Sequence, residues 1–319
     1  MFVDLPLAEL RNYRPEVLEP PDFDEFWASE IATAQRRDLD ARFVPVDAGI
    51  CHARVFDVSF AGHGGDPIKA WLLIPHRLAP GMTAIVEYTG YGGGRGHPLD
   101  WLTWSSAGYP HLVIDSRGQG GGWRSADTSD PGDAGEPASP GFLTRGIRDR
   151  HGYYFTRLFV DAARAVAAAR CHPELEGWRV VTTGVSQGGG LALAAAHLAE
   201  GVSATMPAVP FLAFPRRAAE ITPALPYAEL AQFCRVHQDE TEEVFRTISY
   251  VDVVNHAKRC RVPALFSVGL LDEITPASTV FAAFNHYAGK KEIAVYSFNG
   301  HEGGGTTHVL RQLEFLRRA

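Results

Sequence analysis

The sequence predicts an α/β fold, a mostly parallel β-sheet covered by helices on both faces. Three observations carry that reading. Short β-branched or apolar runs alternate with runs of helical length along most of the chain, as parallel strands joined by crossover helices do. Residues 178–199, WRVVTTGVSQGGGLALAAAHLA, set an apolar strand before an Ala- and Leu-rich helix. Between the two lies Gly184-Val185-Ser186-Gln187-Gly188, a G-x-S-x-G pattern. In that order the pattern is a nucleophile elbow, a turn so sharp that the serine hydroxyl stands exposed at its tip. Gly184 and Gly188 are needed there because a Cβ at either flank would meet a neighbouring strand or helix.

Composition narrows the class. The chain has 319 residues, 45% hydrophobic and 21% charged, which suits one globular α/β domain over 1–319. Its formal charge is −7 with no basic run, which argues against a nucleic-acid partner. The N-terminus carries Asp4 and Glu9 and lacks the basic and apolar regions of a signal peptide. No apolar run approaches the ~18 residues of a membrane span. Cys51, Cys171, Cys234 and Cys260 are scattered and read as reduced thiols. Cys234 and His237 form a C-x-x-H, but no second ligand pair follows, so no metal is expected.

In chain order, residues 22–36 read as a helix with capping-box spacing from Asp22 to Glu25 and an apolar face of Phe23, Phe26, Trp27, Ile31 and Ala34. Residues 51–60 and 68–74, joined by a Gly-rich turn, read as an antiparallel hairpin at the sheet edge. The strand 83–88 opens into Gly90-Tyr91-Gly92-Gly93-Gly94-Arg95-Gly96. That cluster lacks the G-K-[ST] of a P-loop, and Arg95 breaks G-x-G-x-x-G, so it is no nucleotide loop. Bare amides after an early strand suit an oxyanion instead.

The strand 111–115 is followed by a long loop over 124–146, and a helix over 154–171 leads to the elbow strand. A strand over 202–210 comes next. Residues 211–257, with short helices at 227–236, 241–250 and 251–257, break the alternation and read as a helical cap over the site. Alternation then resumes: strand 263–268, helix 276–287, strand 293–298 and helix 304–318.

A serine becomes a nucleophile only when a base takes its proton, and the base needs a third group to orient it. The required order of serine, acid and histidine selects Asp272 and His301, each in a loop just after a late strand. Asp115 also ends a strand but precedes the serine. Glu273 and His308 are the other rivals, set aside because Glu273 neighbours Asp272 and His308 lies within a helix. The expected oxyanion donors are the backbone N–H groups of Gln187 and Tyr91.

These residues resemble one family. The segments GVSQG at 184–188, RGQ at 117–119, HE at 301–302 and GYGGGRG at 90–96 are similar to the acetyl xylan esterase and cephalosporin-C deacetylase family. So are DLPLAELRNYRP at 4–15, DFDEFW at 22–27 and PFLAFPRRA at 210–218, although Ala213 and Pro215 depart from residues common there. The resemblance implies an α/β-hydrolase fold and cofactor-free deacetylation of small acetylated sugars or cephalosporins. It also implies a cytoplasmic location and a homohexamer. Carried over, Ser186 is the nucleophile, Asp272 the acid and His301 the base, with the Tyr91 and Gln187 amides as oxyanion hole. Arg117, Gly118 and Gln119 organise the site, as do Gly184, Gly188 and Glu302, and Arg117 is expected to hold loops together by ion pairing. Tyr91, Phe211, Pro226 and Ile274 would line a small acyl pocket. Fold and residues leave open a general carboxylesterase, thioesterase or peptidase, and an inactive hydrolase-like binding protein.

Overall fold

The computed structural model describes residues 4–131 and 140–318. Residues 1–3, 132–139 and 319 lie outside it, so part of the expected 124–146 loop and both ends of the expected 1–319 domain are not described. The elements begin with α1 (Leu7–Leu10), α2 (Phe23–Gln35), β1 (Arg42–Val46), β2 (Ala53–Ala61) and β3 (Pro67–Pro75). Next come β4 (Thr83–Tyr88), α3 (Leu102–Ser106), β5 (His111–Ile114), α4 (Tyr154–Arg170), β6 (Arg179–Val185), α5 (Gln187–Leu198) and β7 (Val202–Ala208). The helices α6 (Pro215–Ile221), α7 (Tyr227–Val236), α8 (Thr241–Ser249) and α9 (Val253–Ala257) precede β8 (Ala264–Gly269), α10 (Ala277–His286), β9 (Lys291–Tyr296) and α11 (Gly305–Arg318).

One sheet runs β1-β2-β3-β5-β4-β6-β7-β8-β9. β1, β2 and β3 pair antiparallel, and β3 joins β5 antiparallel; from β5 to β9 all neighbours are parallel. The expected hairpin is therefore present, with one strand more at the edge than anticipated. β1 carries no strand signature in the sequence, because RFVPV is mostly exposed and shows no buried face.

Period-two alternation sends side chains to two cores. Ala84, Val86 and Tyr88 of β4 face α4 and α5, while Ile85 faces the smaller cluster built with Trp104 of α3 and Phe315 of α11. The stripe expected on α2 is the buried one, with Phe23, Phe26, Trp27 and Ala34 inside. Its capping box is not formed. Asp22 instead accepts a hydrogen bond from the Tyr250 hydroxyl at 2.5 Å and pairs with Arg150 at 2.7 Å, because a charged and a phenolic partner outcompete a solvent-exposed amide.

The segment 211–257 packs into the main core through Leu212, Tyr227, Leu230, Val244, Ile248 and Val253. It contains one helix beyond those expected, α6, whose first residue is Pro215. Proline reads as a boundary, yet at a first helical position its missing N–H costs nothing. Strand order reverses between β5 and β6 on either side of β4, so a crevice opens outside the carboxyl ends of β4 and β6.

Candidate active site

The elbow forms where β6 meets α5. Ser186 has φ 58° and ψ −118°, a strained conformation for a residue with a side chain. Backbone bonds hold it there: its N–H donates to the Ala208 carbonyl at 3.0 Å, and its own carbonyl accepts from Gly190 N at 3.0 Å and Phe211 N at 2.9 Å. A Cβ on Gly184 would lie 2.5 Å from the Gly188 carbonyl carbon, and one on Gly188 would collide with the Tyr88 carbonyl of β4. The two glycines thus let helix, elbow and central strand approach.

Asp272 follows β8 and is buried. Its Oδ1 accepts from Ile274 N at 2.8 Å and Thr275 N at 2.9 Å, and its Oδ2 from the Thr275 hydroxyl at 2.7 Å. His301 Nδ1 lies 2.9 Å from the same Oδ2. Nδ1 donating to this acceptor leaves Nε2 with its lone pair. Glu302 ties the histidine turn, accepting from Asn299 Nδ2 at 2.7 Å and Gly300 N at 3.0 Å, and the Asn299 bond chiefly holds its carboxyl below the usual range. Ser186 and His301 open onto one cavity of about 460 Å³.

Of the residues expected to line that cavity, Tyr91, Pro226 and Ile274 do. Phe211 does not. Its ring is fully buried and packs behind Tyr91, 6.0 Å between centroids, and against Tyr227 at 4.6 Å. The cap expected over the site contributes Leu225 and Pro226, at the start of α7, and its later helices do not reach the cavity. Trp101, Trp123, Pro140 and Leu225 complete the apolar wall. Local sequence gave no signal for them, since Trp123, Pro140 and Leu225 lie in turns or loops and Trp101 ends a single 3-10 turn, none with periodicity.

Tyr91 is also clamped from the cap. Its hydroxyl donates to Glu229 Oε1 at 2.6 Å and accepts from Gly141 N at 3.2 Å and Phe142 N at 2.9 Å, while Glu229 Oε2 accepts from Leu143 N at 3.0 Å. Burial is the main reason that both the phenol and the Glu229 carboxyl are pushed up from their ordinary values. Nothing in the sequence marks Glu229, an ordinary glutamate of an amphipathic helix.

The remaining motif residues are internal. Arg117 is fully buried and donates to Asp161 Oδ2 at 2.6 Å, Asp66 Oδ2 at 3.0 Å and Asp130 Oδ1 at 3.2 Å. It fastens α4, the β2–β3 turn and the loop at residue 130, the ion-pair role expected of it. Removing one side of such a buried network costs about 3–5 kcal/mol. Gly118 N donates to the Thr128 carbonyl at 2.9 Å. Gln119 takes Gly92 N at 2.7 Å and gives its amide to Gln187 Oε1 at 2.8 Å. The side chain of Gln187 therefore points inward and braces the glycine loop, while its backbone N–H is one of the unsatisfied donors of a helix N-terminus. The rival Asp115 accepts from Arg95 N at 2.5 Å, Asp127 N at 2.8 Å and Thr128 Oγ1 at 3.1 Å, and takes no part in the cavity.

Among the described residues, no three His, Cys, Asp or Glu side chains are grouped to hold a metal ion, and no helix is long and apolar enough to cross a membrane. Comparison with known proteins extends the geometry. The family model for acetyl xylan esterase (AXE1) matches residues 1–319. Acetyl esterase Axe7A of Xylanibacter ruminicola is 26% identical over 326 residues, which span 95% of this chain and 69% of that protein. The solved acetyl xylan esterase of Paenibacillus sp. R4 is 36% identical with a TM-score of 0.90, covering 98% of this chain and 99% of that one. That of Thermoanaerobacterium sp. JW/SL YS485 is 33% identical at 0.86, with the same coverage. The fold is that of the α/β-hydrolases, the activity that of a carboxylic ester hydrolase, and the chain belongs to the acetyl xylan esterase family.

Proposed function

We propose that the protein is a serine esterase that removes acetyl groups from small acetylated substrates through an acyl-enzyme. The observation that carries the reading is the 2.9 Å contact of His301 Nδ1 with Asp272, beside a strained Ser186 on the same cavity. His301 Nε2 takes the Ser186 proton as Oγ bonds to the acetyl carbon. The N–H groups of Tyr91 and Gln187 stabilise the oxyanion. His301 then protonates the leaving alcohol as the ester C–O bond breaks. Water enters, gives a proton to His301 and bonds to the acetyl carbon. Acetate leaves as Oγ regains its proton.

Acetylated xylo-oligosaccharides are the proposed substrates, in keeping with the apolar, tryptophan-bearing cavity and with the names of the relatives. Cephalosporin C is a second acetyl ester within the same reading. The homohexamer expected from the resemblance belongs to the proposal too, and light scattering on the purified chain tests it. For the chemistry, Ser186→Ala should lose on the order of 10⁴-fold or more in kcat with the fold retained, and should no longer take up a fluorophosphonate label. Near-native turnover by folded Ser186→Ala would rule the serine mechanism out.

A further inference from the structure

A second cleft, of about 260 Å³, adjoins the cavity of Ser186 and is walled from it by Glu87, Trp101, Arg124 and Val185, which line both. It lies between the sheet and the helices α3 and α11. On that face apolar packing is the rule, as Ile85 and Val181 show a little lower on β4 and β6. Two residues further along each strand, on the same face, stand Glu87 and Thr183. The layer therefore turns polar where it meets the active site.

Much hydrogen-bonding capacity in this cleft is unspent. Glu87 Oε2 accepts from Trp104 Nε1 at 2.8 Å and lies 3.0 Å from Nε2 of the buried His111, but its Oε1 has no partner among the described residues. The Arg124 guanidinium stacks over Trp101 at 4.5 Å and Trp123 at 5.0 Å. Its nearest carboxylate oxygen, on Asp100, is 3.6 Å away, and among the described residues Arg124 makes no hydrogen bond. His308 is buried on α11, and among the described residues its Nε2 has no partner. Groups left so are unfavourable unless water or a ligand satisfies them.

The balance of these groups sets the ligand. Of the three carboxylates that line the cleft, Glu302 is held within its own turn by Asn299 and Gly300, so Glu87 and Asp100 face one guanidinium beside indole walls, a set that does not select an ion of either sign. They suit hydroxyls, which donate to carboxylates and accept from guanidinium, on a ring with an apolar face. We propose that the cleft is a sugar subsite, holding the unit next to the acetylated one when a xylo-oligosaccharide lies over Val185. This rests on Ser186 being the reacting group, since Val185 precedes it on β6.

The test compares xylose and xylotriose, each carrying one acetyl group on a terminal unit, with p-nitrophenyl acetate as reference. The native protein should favour the trisaccharide over the monosaccharide by about tenfold or more in kcat/KM, the scale of one well-filled subsite. Unacetylated xylotriose, unlike xylose, should inhibit competitively. Val309→Trp on α11 and Thr103→Trp on α3 would fill the cleft from opposite walls, and either should lower the ratio of trisaccharide to p-nitrophenyl acetate by about tenfold. Equal kcat/KM for mono- and trisaccharide in the native protein would overturn the subsite, as would an unchanged ratio in either folded variant. The native comparison decides the matter if neither variant folds. Loss of the serine reading would register separately, as activity surviving in Ser186→Ala.

Discussion

Asp115 and Asp272 form a natural pair. Each directly follows or closely trails a parallel strand, each is buried, and each gathers loop amides and a threonine hydroxyl. Asp115 takes Thr128, Asp272 takes Thr275. The difference lies in what stands beside them. β8 has β9 as its neighbour, so the turn after β9 delivers His301 to Asp272. β5 lies between β3 and β4, and Asp115 receives the glycine loop through Arg95 N, with the Arg95 Nε at 3.8 Å. One local motif, a carboxylate organising the loop at a strand end, thus serves orientation of an imidazole in one place and loop structure in the other. Strand order decides which.

The comparison breaks most sharply at Asp272→Asn. Once the carboxylate no longer fixes the imidazole tautomer, kcat should fall roughly 10⁴-fold with little change in Tm. A loss of that size from Asp115→Asn in an equally stable protein would reverse the assignment.

Thr275→Val probes the support of the acid. It removes the 2.7 Å bond to Asp272 Oδ2, a hydrogen bond of the kind worth about 1.5–3 kcal/mol when a charge is involved. A drop of about tenfold in kcat is expected, with Thr275→Ser restoring it, both read on p-nitrophenyl acetate. Activity unaffected by Thr275→Val would mean that Asp272 holds its orientation through backbone amides alone.

Asp115→Asn sharpens the other side of the pair. Burial is the largest influence on its carboxyl and pushes it up to about 6, against an ordinary 3.8. A raised carboxyl binds its proton more readily in the folded state, so its contribution to stability is full below about pH 4 and lost as pH rises through about 6. Asparagine does not titrate. Native minus variant Tm should therefore shrink from pH 4 to pH 7, while kcat moves far less than for Asp272→Asn. A Tm difference that is flat over that range would show Asp115 ionising as freely in the fold as outside it.

The smallest effect concerns metals. Prolonged EDTA treatment should leave kcat/KM unchanged, because the chemistry proposed for Ser186, His301 and Asp272 uses none. Activity lost to chelation and restored by one divalent ion would count against that chemistry.

Elements with a strong local signature were legible in the sequence. β4 and α7 lie at the expected bounds, 83–88 and 227–236, because apolar runs bounded by Gly or Pro specify backbone conformation locally. The elbow was legible for a similar reason: Gly184, Ser186 and Gly188 occupy one turn, and their spacing states the backbone geometry that the strand-to-helix reversal requires. That Asp272 and His301 meet was legible from chain order and strand ends alone.

What the sequence left undecided depends on partners distant along the chain. Phe211 resembles a pocket residue by type and position, yet Tyr227 and Phe155 enclose its ring in the core. Asp22 has the spacing of a helix cap, but Tyr250 and Arg150 claim its carboxylate across 228 and 128 residues of sequence. Glu229 meets Tyr91 only because α7 folds over the glycine loop, 138 residues away. Short-range spacing determines the path of the backbone, since sterics and local hydrogen bonds act within a few residues. Where a side chain points, and whether it lines a cavity or sits behind its wall, follows from packing between elements, which the tertiary structure alone brings together.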